Sequence, residues 1–196
     1  MLSEELLERT EERALLGRAL SETRAGRGRL VLVEGEAGIG KTALLELAMR
    51  LAAERGLTLF SARGGPLEEG FGYGIVRQLF ESALLAAAAP RRRRLLEGPA
   101  ARAGPVFGLG GRAEPASDPL QAAHATRHAL FRLLANLAGD GPVLVCVDDA
   151  HWADGASVRW IAYVARRLAD VPVCVLVARR LGEPSPHDVL LDDLRA

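Results

Sequence analysis

Residues 29–42 read RLVLVEGEAGIGKT. The run Leu30, Leu32 and their valine neighbours is short and unbroken, which suits a strand buried on both faces. Apolar positions then recur at helical period and predict a helix over 42–54. Between the two lies Gly35-Glu36-Ala37-Gly38-Ile39-Gly40-Lys41-Thr42, which fits G-x-x-x-x-G-K-[ST]. A strand before and a helix after are the context that separates a phosphate-binding loop from an ordinary glycine-rich turn. Glycines let successive backbone N–H groups curl around phosphate oxygens, and the helix end adds positive character. Lys41 reaches the β- and γ-phosphates as a slim ammonium, where a forked guanidinium is too bulky. The Thr42 hydroxyl is suited to Mg2+. The candidate nucleotide-binding set is therefore Gly35, Glu36, Ala37, Gly38, Ile39, Gly40, Lys41, Thr42 and Ala43. Lys41 is also a catalytic candidate, and Thr42 a metal ligand.

Composition makes Lys41 stand out. The chain has 25 basic and 25 acidic residues, and Lys41 is the only lysine, so 25 − 1 = 24 are arginine. Asn136 is the only asparagine. This is the bias of a GC-rich coding sequence. A balanced charge gives no sign of a nucleic-acid or anionic-membrane partner. With 49% hydrophobic residues over 196 positions, the chain has material for one ordinary domain with a real core. Cys146 and Cys174 each sit in an apolar run, without zinc spacing or disulfide density, which favours a reducing, cytoplasmic setting. The acidic, amphipathic N-terminus is unlike a signal peptide, and no apolar stretch approaches the roughly 20 residues of a membrane span.

Further along, strands are expected at 57–60, 143–147 and 171–177, and helices at 75–89, 120–138 and 154–168, with Pro90 ending the first of these. Residues 2–20 suit a surface helix or two, 24–29 a turn, and 188–195 a weak helix. Residues 90–119 are expected as an irregular insertion rich in glycine and proline. Alternating strands and helices predict an α/β sandwich around a mostly parallel sheet. No internal repeat is present.

The strand at 143–147 runs into Asp148-Asp149, at the end where α/β sheets bind ligands. The first carboxylate is placed to hold Mg2+ through water, and the second to polarise an attacking water. Two other nucleotide-binding classes are disfavoured. GEAGIG lacks the G-x-G-x-x-G spacing of a dinucleotide fold. No Asn-Lys-x-Asp segment exists to read guanine, since Leu137 follows Asn136, so ATP is the better guess.

With VLVCVDDAHWAD following the phosphate loop, the sequence resembles the N-terminal ATPase domain of large LuxR-type transcriptional regulators. These belong to the STAND branch of AAA-like P-loop ATPases. FGYGIVRQLF and SVRWIAYVARRL share the likeness, which covers roughly residues 7–183 and is thin between 95 and 117. The resemblance implies a three-layer P-loop NTPase sandwich over residues 1–196, with a core at about 24–183 and an N-terminal helical segment at 1–23. It implies that Lys41 and Thr42 grip phosphate and Mg2+ and that Asp148 supports the metal. Asp149 takes the place of a glutamate found in faster ATPases. Arg179, just after the last strand, matches a sensor arginine, with Arg180 as an adjacent alternative. Arg9 falls in a motif near the adenine, with Thr10 where members carry an acid. Members continue into a fifth strand, a lid, a sensor region and a DNA-binding helix-turn-helix. This chain is expected to lack the fifth strand and the lid, and to leave an open sheet edge along 30–33.

The expected function is an Mg-ATP/ADP-binding regulatory switch with slow hydrolysis, with self-association or contact with regulatory domains as possible partners and no direct DNA binding. The alternatives are a stand-alone ATPase or small-molecule phosphotransferase, and a truncated remnant without function. Other residues carry weaker expectations. His151 is a γ-phosphate sensor or a loop histidine packed on Trp152. Asp154 is a helix cap. His124 and His128 have metal spacing but no third ligand. Trp160 and Tyr163 are expected on one face of a helix, as packing or as an interface for further domains, and Arg91–Arg94 as a solvated helix end or loop rather than a nucleic-acid contact. Arg63 is placed to approach phosphate from the side.

Overall fold

The computed structural model describes residues 9–65, 72–110, 118–183 and 185–195. Four strands form one parallel sheet: β1 (Arg29–Gly35), β2 (Thr58–Arg63), β3 (Val143–Asp148) and β4 (Val173–Arg180). Their order is β1-β4-β3-β2. The central β3 and β4 are buried almost throughout, as their continuous apolar runs require. Among the described residues β1 is an edge strand, and its residues before Gly35 are half-buried. Among the described residues no strand pairs with the outer side of β1 along 30–33.

Alternation along each strand divides the molecule into three layers. Val31 and Val33 of β1, Cys146 of β3 and Cys174 of β4 face α1 (Thr10–Arg24) and α2 (Lys41–Glu54). Leu30, Leu32, Val145 and Val175 face the larger core on the other side. That core is built by α3 (Gly74–Ala86), α5 (Pro119–Ala138), α6 (Gly155–Ala165), a short α7 (Asp188–Asp192) and three 3-10 segments. Leu130, Leu133, Leu134 and Leu137 line one buried face of α5, as their spacing predicts.

Some local expectations hold and others are corrected. Helix α1 ends at Arg24, and the turn expected over 24–29 follows at 25–28. Pro90 does not simply stop a helix: it sits in the first turn of α4 (Ala89–Leu95), where a missing N–H costs nothing. Part of the expected irregular insertion is a 3-10 segment (Gly98–Phe107), while 111–117 lie outside the described residues. Trp160 and Tyr163 both pack against the larger core, as expected. Trp160 is buried edge-on against Phe80 at 5.7 Å, while Tyr163 meets His124, His128 and Phe131 of α5. The histidine pair is thus an aromatic seam, with His128 Nδ1 3.1 Å from the Tyr163 hydroxyl. No metal-holding cluster of three ligands occurs among the described residues. Arg91 and Arg94 are not merely solvated: both pair with Asp140.

Candidate functional site

The C-terminal ends of β1, β3 and β4 converge on the glycine loop, because parallel strands bring equivalent ends to one edge of the sheet. Gly40 caps α2 with φ of 84°, a left-handed conformation that a side chain would strain, so the loop can turn directly into the helix. Lys41 is 7% exposed and donates to the carbonyls of Gly35 at 2.9 Å and Glu36 at 2.7 Å. The Thr42 hydroxyl donates to Asp148 Oδ2 at 3.0 Å, joining positions 106 apart in the chain. Asp148 Oδ1 accepts the N–H of Asp149 at 2.9 Å. The structure therefore brings Lys41, Thr42 and Asp148 together. A hydroxyl against a buried carboxylate, beside a loop with a left-handed turn into a helix, is a donor set suited to Mg2+ and phosphate.

Asp149 stands in a left-handed conformation with φ of 47°, unusual for a residue with a Cβ. Its Oδ2 accepts from Arg63 Nε at 3.0 Å and Nη2 at 2.7 Å. The carboxylate beside Arg63 raises the guanidinium pKa above its ordinary value. Arg63 thus turns toward Asp149, its backbone fixed by Gln78 of α3 through bonds of 3.0 and 3.3 Å. The next residue is Gly64, where a Cβ would lie 2.3 Å from the Asp149 carbonyl oxygen. No periodicity signals Gln78. The Gly64-Gly65 pair after the strand was the available cue for a close backbone approach.

Arg179 and Arg180 lie within β4, not after it, and alternation sends them to opposite faces. Arg179 is 3% exposed on the α7 side, held by Glu34 and Asp192. Arg180 Nε approaches Asp149 Oδ1 at 3.9 Å, and its Nη1 lies 3.1 Å from Glu183. Of the two arginines, it is Arg180 that neighbours the acidic turn. His151 is 3% exposed, and its Nδ1 accepts the Arg180 N–H at 3.4 Å. Its Nε2 has no hydrogen-bond partner among the described residues and lies 3.6 Å from Glu183. Burial holds the imidazole pKa below its usual value, against the upward pull of Asp149 and Glu183. Trp152 packs tilted on the ring at 5.5 Å.

Arg9 precedes α1 and reaches back to the loop, donating to the carbonyls of Gly40 at 3.3 Å and Ile39. Beside it is a cavity of about 300 Å3 between α1 and the open flank of β1, walled by Leu15, Leu16, Val31, Val33 and Ile39, with Glu12 and Lys41. Asp154 is a cap, as expected, but a double one. Its Oδ1 accepts from Ser157 at 2.9 Å in α6 and from Tyr73 at 2.8 Å ahead of α3.

Comparisons with known proteins bear on the family and the fold. The family model described as "AAA ATPase domain" matches residues 5–176. An uncharacterised protein of Rhizobium meliloti (strain 1021) is 31% identical over 192 residues, covering 89% of this chain and 18% of its own length. The chain thus spans under a fifth of that curated relative. Among solved structures, the Aeropyrum pernix ORC2 protein, determined as ADPNP–ADP complexes, is similar with a TM-score of 0.52 at 17% identity. That likeness covers 95% of this chain and 43% of the other, and it concerns the fold. A parallel α/β sheet with the phosphate loop, Thr42 and Asp148 gathered at one edge, and a family match over most of its length, place this chain in the AAA ATPase domain family.

Proposed function

We propose that this chain is a single Mg-ATP/ADP-binding switch domain that hydrolyses ATP slowly. The observation that carries the reading is the Thr42–Asp148 contact beside the buried Lys41. Thr42 and Asp148 would hold Mg2+, which when bound neutralises charge on the β- and γ-phosphates. Lys41 and the N–H groups of the loop would bind and orient the phosphates, with Arg180 facing them from β4. The cavity beside Arg9 offers apolar walls for the base, consistent with ATP. The structurally similar ORC2 protein, described as ADPNP–ADP complexes, adds support for this ligand class.

Slow hydrolysis follows from Asp149. A base must accept a proton from the attacking water, yet Oδ2 is already engaged by two N–H groups of Arg63. A site that holds nucleotide but turns it over slowly is suited to switching. With the LuxR-type resemblance, we place the domain in a cytoplasmic, signal-responsive transcriptional regulator whose DNA-binding part lies outside this chain. Among the described residues no helix is long and apolar enough to cross a membrane.

Titration of a fluorescent ATP analogue with and without Mg2+ tests the reading. Wild type should bind, and Lys41→Ala should lose most of its affinity. Equal affinity in the two proteins would sink the phosphate-loop assignment. Single-turnover hydrolysis above about 1 s⁻¹, the usual kinase range, would instead support a self-sufficient enzyme.

A further inference from the structure

We infer that Arg179 is a positioning residue for the phosphate loop, acting through Glu34, and that the segment 188–195 completes this support and is thereby coupled to nucleotide binding. The inference deepens the switch reading and rests on it.

The argument starts at the strand ends. Glu34 and Arg179 are register partners on β1 and β4, and both point to the α7 side of the sheet. Arg179 Nε donates to Glu34 Oε1 at 2.5 Å. Its other arm is bound to Asp192 of α7, and Asp188 lies 4.0 Å away. Arg195 closes the network, donating from Nε to Glu34 Oε2 at 2.9 Å and from Nη2 to Oε1 at 3.0 Å. It also lies 3.6 Å from Asp192. Both oxygens of Glu34 are therefore engaged by side chains from beyond the middle of β4.

Glu34 is the last residue before the phosphate loop. The next carbonyl, that of Gly35, accepts Lys41 Nζ at 2.9 Å and the N–H of Leu181 at 3.1 Å. The chain entering the loop is thus pinned twice by the stretch 179–195, once at a side chain and once at the backbone. The segment itself is anchored: Leu191 is fully buried and Leu194 is 7% exposed, both in the larger core. It is not a loose arm resting on the surface.

This geometry distinguishes two roles for Arg179. A phosphate-sensing arginine would favour the nucleotide carrying the γ-phosphate. A residue that holds the strand end beneath the loop supports every ligand the loop cradles, since it sets where the loop N–H groups stand before any phosphate arrives. The network occupies Arg179 on the face opposite α2. The second role follows. Because coupling between sites is reciprocal, a nucleotide that favours the ordered loop also favours a docked 188–195. Docking of that segment is a physical change that other parts of a regulator can read.

The test uses the full chain. ATP and ADP affinities are measured with fluorescent analogues for wild type, Arg179→Gln, Asp192→Asn and Arg195→Gln. Amide exchange at 188–195 is followed with and without ADP. We expect ATP and ADP to weaken together, by about five- to twentyfold, within the usual range of coupling. ADP should slow exchange at 188–195 in wild type. Weakening confined to ATP in Arg179→Gln would overturn the inference in favour of γ-phosphate sensing. Wild-type affinities in both Asp192→Asn and Arg195→Gln, or exchange at 188–195 indifferent to ADP, would overturn it as well. Arg195 is half-exposed, so its variant keeps the question open should Arg179→Gln fail to fold. A wild type that binds neither nucleotide would sink the switch reading itself, which is a separate result.

Discussion

At the scale of single residues, the acidic turn holds two groups closely constrained by their surroundings. Asp149 combines a left-handed backbone with an ion pair to Arg63. The Arg63 side chain is 66% exposed, so the pair is worth at most about 1 kcal/mol after solvent screening. Freeing Oδ2 should therefore speed hydrolysis modestly. Arg63→Ala is expected to raise the single-turnover rate about two- to fivefold with little change in ATP affinity, whereas Asp149→Asn, which tolerates the left-handed backbone, should nearly abolish turnover. A slower Arg63→Ala would show that Arg63 assists the reaction rather than restraining Asp149. His151 gives a different signal. Its folded pKa lies below the ordinary 6.5, burial being the largest cause, so the unfolded chain takes up its proton first as pH falls. Stability should be flat from about pH 8 to 6.5 and then decline as pH falls toward the folded value. Glu34 and Asp192 act lower down. Burial would raise Glu34, but hydrogen bonds from Arg195 and Arg179 outweigh it, and the Arg179 hydrogen bond lowers Asp192. Their contributions are present above the unfolded pKa values and are lost only as pH falls through the still lower folded ones. A His151→Asn variant should flatten the melting-temperature profile between pH 6.5 and 5. An unchanged slope would rule out His151 as its source.

At the scale of elements, Asp154 shows how one side chain organises two helices near the site. Oδ1 accepts from Ser157 in α6 and from Tyr73, and Oδ2 from Ile75 at 3.4 Å in α3. The residue is 2% exposed, so removing it strands buried N–H groups as well as a cap. Asp154→Ala should cost about 2–3 kcal/mol, which for a chain of this size lowers the melting temperature by roughly 4–12 °C. Asp154→Asn, still able to accept, should lose less; equal losses would mean that the ionised form matters more than the bond geometry. The cap itself was legible in the sequence because Asp before an apolar helical pattern is a local signal. The same holds for β1, α2, β3 and the motif residues, whose flanking runs are short and unmixed. What was not legible has long-range causes. Pro90 is compatible with either ending one helix or opening another, and packing of Leu95 decides for the second. Strand β2 extends to Arg63 because it pairs with β3 as far as Asp148, although Thr58, Leu59 and Ser61 are exposed and break the apolar pattern. Arg179 was read beyond β4 because a charge normally marks a strand end, and its carboxylate partners lie 145 and 13 positions away.

At the scale of the molecule, the two thiols report on the whole fold. Cys146 and Cys174 lie on the two central strands, on the face covered by α1 and α2, and each is 2% exposed. Burial is the main reason that both pKa values are pushed up to about 12, so neither supplies appreciable thiolate near neutral pH. Local fraying of the edges does not expose them, because β3 and β4 are each paired on both sides. Their reaction with a disulfide reagent should therefore track global opening of the sheet. The reagent should label both cysteines together, at a rate that rises with denaturant along the unfolding transition. Nucleotide gives this measurement a functional reading. A ligand that binds only the folded state at one hundred times its Kd adds about 2.7 kcal/mol of stability, which corresponds to roughly a hundredfold slower labelling when reclosing is faster than reaction. Mg-ATP should slow the labelling of wild type by that order and leave Lys41→Ala nearly unprotected. Labelling of both cysteines at a rate indifferent to denaturant below the unfolding transition would instead mean that α1 and α2 lift from the sheet as a unit, and that the nucleotide site opens without the sheet coming apart.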